Sequence, residues 1–154
     1  MEVYRSLSRD RREFRLVRIA LGKQGAPMEL TLEHFSLDNL PSYAALSYVW
    51  GEEKFADIHV NGIITSIREN LHEALLQIRN GNLEFSTSLW IDAICINQND
   101  DAERSWQVNE MRTIFSQASL VYSWLGPEAD DSDAAMKLLE YLGKMVLEAG
   151  YDRT

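Results

Sequence analysis

The stretch SLWIDAICINQND, Ser88 to Asp100, carries one carboxylate, Asp92, in an otherwise apolar run, and it ends in the amides of Asn97 and Gln98. A lone buried carboxylate costs several kcal/mol unless it is paired, hydrogen-bonded or open to a cleft. Two explanations stand side by side: an ion pair with Arg104, or an acid that faces a ligand; both fit Asp92 and Arg104 together shaping the rim of a cleft. Asn97 and Gln98 could orient a substrate through paired donors and acceptors, although the same residue types close loops and Asx-turns. Glu103 lies where a helix would begin and gains from its dipole, so capping chemistry accounts for it as readily as catalysis does. Gln107 borders an apolar stripe, where an amide needs partners. Cys95, between Ile94 and Ile96, reads as a buried structural thiol rather than a nucleophile.

Other chemistries are excluded by what is missing. His34, His59 and His72 are scattered, with no acid or nucleophile at a telling spacing, and one cysteine with three histidines makes no zinc cluster. No metal site is expected. GKQGAP lacks the P-loop pattern and WGEEKF the dinucleotide-binding one. Four tryptophans, Trp50, Trp90, Trp106 and Trp124, are many for this length. Trp50 and Trp124 close apolar strands where a ring could stack on a base or nicotinamide, though core packing is their ordinary use.

The elements that position these residues follow from periodicity. FRLVRIAL (14–21) and MELTLEHFSL (28–37), separated by a Gly/Pro turn, predict an N-terminal antiparallel pair. YAALSYVW (43–50), Leu89 to Ile96 and LVYSWL (120–125) are apolar on both faces, as strands buried between layers are. In the second of these, Asp92 would share a face with Trp90, Ile94 and Ile96. DIHVNGIITS (57–66) is a hairpin around Asn61-Gly62. Ser66 and Glu69 have capping-box spacing before a helix whose stripe is Leu71, Ala74, Leu75 and Ile78. A second helix is expected from Ala102 to Gln117 with Val108, Met111, Ile114, Phe115 and Ala118 inward, and a third after Asp130, with Ala135, Leu138, Leu139, Leu142 and Val146 inward. This alternation predicts an α/β layer fold with a central, mainly parallel sheet, plus the N-terminal pair and the small hairpin. Ligands then belong beyond the carboxyl ends of the strands.

The chain has 154 residues, enough for one domain with a sizeable core. Its 24 acidic against 15 basic residues give a formal net charge of −9, a field that repels phosphate backbones. Nucleic acid is therefore not an expected partner. Arg5, Arg11, Arg12, Arg15 and Arg18 concentrate positive charge near the N-terminus, which reads as a solvated basic face, with a local cationic pocket as the other reading. A single cysteine and the lack of an apolar leader or a long apolar run predict an intracellular, cytoplasmic protein with no membrane span.

Four blocks, YAALSYVWG (43–51), LWIDAICINQND (89–100), ER..Q...M..IF..A (103–118) and VYSWLG (121–126), resemble in order the HET domain, the heterokaryon incompatibility domain of filamentous fungi. Phe115 departs from the tyrosine common in that family. The resemblance implies a single domain over 1–154: a β lead-in over 1–42, the motif core over 43–142 and a C-terminal helix end over 143–154. It implies an effector of programmed cell death on non-self recognition. It also implies a TIR-like, flavodoxin-like fold and, by that analogy, hydrolysis of NAD as substrate rather than as cofactor. By strand order the catalytic carboxylate is then Glu128, with Glu103 second, and Trp50, Asp92, Asn97, Gln98, Arg104 and Gln107 bind substrate. The alternative is a module without catalysis that works by self-association or by contact with other incompatibility proteins.

Overall fold

A computed structural model describes residues 3–20, 25–48, 51–79, 88–124 and the backbone of 136–138. The N-terminal pair forms as expected: β1 (Glu13–Ile19) and β2 (Glu29–Ser36) are antiparallel, from Glu13 opposite Ser36 to Ile19 opposite Leu30. After β3 (Tyr43–Tyr48), β4 (Phe55–Val60) and β5 (Ile63–Arg68) close the hairpin, with Asn61 at φ 52° and Gly62 at φ 80°. Those paired positive φ values define the turn that matches strand twist, and they explain the Asn-Gly dipeptide. Helix α1 (Glu69–Arg79) buries Leu71, Ala74, Leu75 and Ile78. Ser66 does not cap it, because Ser66 belongs to β5 opposite Asp57.

The apolar run after residue 88 departs from a continuous strand. Only Ser88–Trp90 is strand (β6); Asp92–Cys95 forms a one-turn helix, α2, and Asp101–Gln117 forms α3. Asp92 therefore heads a helix and does not share a strand face with Ile94 and Ile96. Periodicity could not separate the two outcomes, since a short apolar segment buried on all sides reads the same either way. On α3 the buried residues are Glu103, Trp106, Gln107 and Ile114, whereas Val108, expected inward, is exposed.

β7 (Leu120–Trp124) follows, and Met136–Leu138 pairs antiparallel with it as β8. Leu138, expected on a helix, is thus in a strand, because the ladder to Tyr122 overrides local propensity. Ala135, Leu139, Leu142 and Val146 lie outside the described residues.

Among the described residues eight strands join one sheet in the order β5-β4-β2-β1-β6-β3-β7-β8. β6, β3 and β7 are parallel neighbours, and β2 pairs with β4 in parallel, while the remaining pairs are antiparallel. The sheet is mixed rather than mainly parallel. The reason lies in β1, which hydrogen-bonds to β6 through Val17 opposite Leu89 and so splices the N-terminal pair and the hairpin into the central sheet. Phe14, Leu16 and Val17 of β1 are accordingly all buried. The core is sealed by Trp90 edge-on to Phe115, with ring centroids 5.3 Å apart, and by Phe14 edge-on to Tyr43 at 5.6 Å.

Candidate functional site

Because β3, β6 and β7 run the same way, their carboxyl ends share one edge. The order of strand addition reverses there: the path leaves central β3, adds β6 on one side, then crosses to β7 on the other. Such a reversal opens a crevice at the strand ends. β6 is short, and its last partner on β3 is Ala45. Ser47 and Tyr48 extend beyond it, paired on the other side to Ser123 and Trp124 of β7.

Into this notch α2 delivers Asp92. The Tyr48 hydroxyl is pushed up to about 12, first by burial, then by the Asp92 carboxylate, with Arg68 acting in the opposite direction. Tyr48 thus lies within electrostatic reach of both Asp92 and Arg68. Burial also holds the Asp92 carboxyl above its ordinary value, offset in part by the backbone N–H of Ala93. At the end of β7, α1 comes close: Asn70 Oδ1 accepts a hydrogen bond from Trp124 Nε1 at 2.8 Å. Gly51, at φ +70°, passes so close that a Cβ there would lie 3.3 Å from Asn70 Cβ.

The structure separates the residues singled out in the sequence. Asp92 and Gln98 are at the edge, where Gln98 Nε2 donates to the Asp92 carbonyl at 3.0 Å. Arg104 does not pair with Asp92; it donates to the Gln98 carbonyl at 3.1 Å and to Asp101 Oδ1 at 2.8 Å. The reason is geometric, since with Asp92 on α2 rather than on a strand, an acid one turn from Arg104 on its own helix is the nearer partner. Asn97 closes its loop, its backbone N–H donating to Glu103 Oε2 at 2.6 Å and its Oδ1 accepting from Asn99. Trp50 and Glu128 lie outside the described residues.

Glu103 and Gln107 face the interior. Glu103 takes two hydrogen bonds from Arg15, Nη1 to Oε2 and Nη2 to Oε1, both at 2.8 Å. Its backbone N–H is capped by Asp100 Oδ1 at 3.1 Å. A carboxylate gripped on both oxygens is committed to that guanidinium. Gln107 Nε2 donates to the Glu13 carbonyl at 3.1 Å, tying α3 to β1. Arg15, read as part of a solvated face, is 1% exposed, which corrects that expectation. Cys95 is buried and its thiol is pushed up to about 12 by burial, as befits a structural thiol.

Tyr48, Arg68 and Asn70 were not singled out in the sequence. Tyr48 had a signal, its place at the end of a buried strand; Arg68 and Asn70 had none, because only folding of the hairpin brings them to the strand ends. Among the described residues no group of three or more His, Cys, Asp or Glu could hold a metal, and no helix is long and apolar enough to cross a membrane.

These features define an α/β domain with a polar corner at the carboxyl ends of parallel strands. The family model described as heterokaryon incompatibility protein (HET) matches residues 43–153, and the chain belongs to that family. It is 39% identical over 126 residues to heterokaryon incompatibility protein 6, OR allele, of Neurospora crassa; the match covers 74% of this chain and 18% of that much longer protein. No solved structure matches.

Proposed function

We propose that this chain is the domain through which a heterokaryon incompatibility protein triggers cell death in non-self recognition, and that its carboxyl edge cleaves nicotinamide from NAD or a related nucleotide. The single observation that carries the chemical part is the half-buried Asp92 carboxyl beside Tyr48 at the point where strand order reverses. A carboxyl with a raised pKa in a crevice is a functional-site candidate on physical grounds. The TIR-like reading is favoured by the order of the parallel strands, second, first, third from β6 through β3 to β7.

In the proposed reaction the bond between ribose C1′ and the nicotinamide nitrogen breaks, and both bonding electrons leave with neutral nicotinamide. The oxocarbenium-like ribosyl cation then takes a water oxygen at C1′ and releases one proton. Carboxylates beside such a cation stabilise it. Asp92 and the protonated Tyr48 hydroxyl hold the ribose hydroxyls, and Glu128, four residues beyond Trp124, is the carboxylate set against the cation.

The test is nicotinamide release by purified protein at high concentration, for the wild type, Asp92→Asn and Glu128→Ala. The expected result is release that falls by about 10²-fold or more in each folded variant. Absence of release by a wild type that still kills cells would discard the enzyme. The second reading is then preferred, a non-catalytic module acting by self-association. It has its own observation, because among the described residues β5 ends the sheet and its hairpin exposes Phe55 and Ile64, 57% and 67% accessible.

A further inference from the structure

The one-turn helix α2 carries Asp92, yet a helix this short has no stability of its own. Its carbonyls hydrogen-bond largely to groups outside it. Tyr4 Oη donates to the Ile94 carbonyl at 2.7 Å, Arg15 Nη1 donates to the Cys95 carbonyl at 2.9 Å, and Gln98 Nε2 donates to the Asp92 carbonyl. Arg15 is itself held from several sides: by both oxygens of Glu103, by the Arg5 carbonyl at 2.8 Å, and by the Tyr4 ring, 4.8 Å from its guanidinium carbon. Glu103 Oε2 also accepts the backbone N–H of Asn97, fixing the loop that leaves α2. The network therefore grips α2 at its exit while leaving the Asp92 side chain at its start to the notch.

A structural ion pair needs none of this directionality. Arg15 and Glu103 would neutralise each other equally well without touching α2, but Arg15 directs one of its donors to the Cys95 carbonyl, and Tyr4 aims its only side-chain donor at the Ile94 carbonyl. Tyr4, Arg5 and Arg15 lie outside residues 43–153, the part matched by the family model. From this arrangement we infer that Tyr4, Arg15 and Glu103 form a positioning clamp, which sets the depth of α2 and thereby presents the Asp92 carboxyl at the strand-end notch. The clamp deepens the proposed function by naming what orients its substrate-facing acid, and its value for chemistry rests on that reading.

The test follows the Asp92 carboxyl directly, by ¹³C NMR titration of the labelled protein with Asp92→Asn used to assign the resonance. Tyr4→Phe removes one hydroxyl and keeps the ring against Arg15. Arg15→Lys keeps the charge facing Glu103 and gives up the fork that reaches both Glu103 and Cys95. Tyr43→Phe is the control, since it deletes a buried hydrogen bond from Tyr43 to the Ile114 carbonyl, on α3 and not on α2. The expected result is a wild-type midpoint above the ordinary carboxylate value, moving down in Tyr4→Phe and Arg15→Lys as α2 loosens and water reaches Asp92, and staying put in Tyr43→Phe. If Arg15→Lys does not fold, Tyr4→Phe alone decides. A wild-type midpoint at the ordinary value, or a Tyr4→Phe midpoint no further displaced than that of Tyr43→Phe, overturns the clamp. Nicotinamide release is read separately: a displaced midpoint in protein that never releases nicotinamide keeps the clamp and discards the nucleotide chemistry.

Discussion

Asp92 works against the stability of the domain that contains it, and that opposition can be measured. Its folded pKa is raised above the ordinary 3.8, chiefly by burial. Between the ordinary and the raised value the folded chain binds more protons than the unfolded chain, so stability falls as pH climbs through that window. Above it, the cost of holding a half-buried carboxylate is present in full. Asp92→Asn removes this term: the variant should unfold at about the wild-type temperature near pH 3 and at a higher temperature at pH 7, as thermal melts followed by circular dichroism would show. A variant no more stable than wild type at pH 7 would mean that the carboxylate is compensated there. Glu103 makes the opposite case, an acid whose both oxygens are filled by Arg15. Both acids were visible in the sequence as charges in or beside apolar runs. Which one faced a cleft and which one an arginine was not visible, because the answer depended on Arg15, 88 positions from Glu103 in the chain.

Elements whose signal is local were legible. The hairpin followed from Asn61-Gly62, α1 from its four-residue stripe, and β3 and β7 from apolar runs closed by aromatic and glycine residues. The misreadings share a cause. α2 and β8 are short segments whose form is decided by distant donors and ladders, and the inward face of α3 is set by Glu103 and Gln107, polar residues that a hydrophobic stripe does not count. The site was legible as a place, the strand exits, and in Asp92 and Gln98, but not in Tyr48, Arg68 or Asn70, which only the fold brings to those strand ends. One junction between elements gives a sharp prediction. Gly51 ends the run after β3 at φ +70° and lies against Asn70, whose side chain also holds Trp124. Gly51→Ala must bring its Cβ to 3.3 Å from Asn70 Cβ in a conformation that costs an L-residue about 1–2 kcal/mol. Urea unfolding should show a loss of that order, with quenching of tryptophan emission altered as the Trp124–Asn70 hydrogen bond is disturbed. Gly62→Ala has no such neighbour within 4 Å and should leave the emission unchanged.

At the scale of the whole molecule, the family match begins at Tyr43, but the sheet does not. β1 supplies the antiparallel neighbour of β6, β2 carries the hairpin through its pairing with β4, and Arg15 neutralises Glu103 inside the core. Removing residues 1–42 would take away the guanidinium that fills both oxygens of Glu103, a loss of up to about 3–5 kcal/mol to the extent that Glu103 stays buried. It would also strip the cover from β6 and from α2. Domains of this size are stable by only about 5–15 kcal/mol in total, so a loss of that order on top of the apolar surface laid bare on β6 and α2 removes a large share of it. A chain starting at Tyr43 should therefore be unfolded or aggregated, while residues 1–154 give a cooperative urea transition. Restoring charge balance in the short chain with Glu103→Gln should not rescue it, because the unpaired edge of β6 and the carbonyls of Ile94 and Cys95 would still lack their donors. A cooperative transition in the short chain would show instead that the β1–β2 pair is an accessory layer, and that the family's matched segment carries its own core.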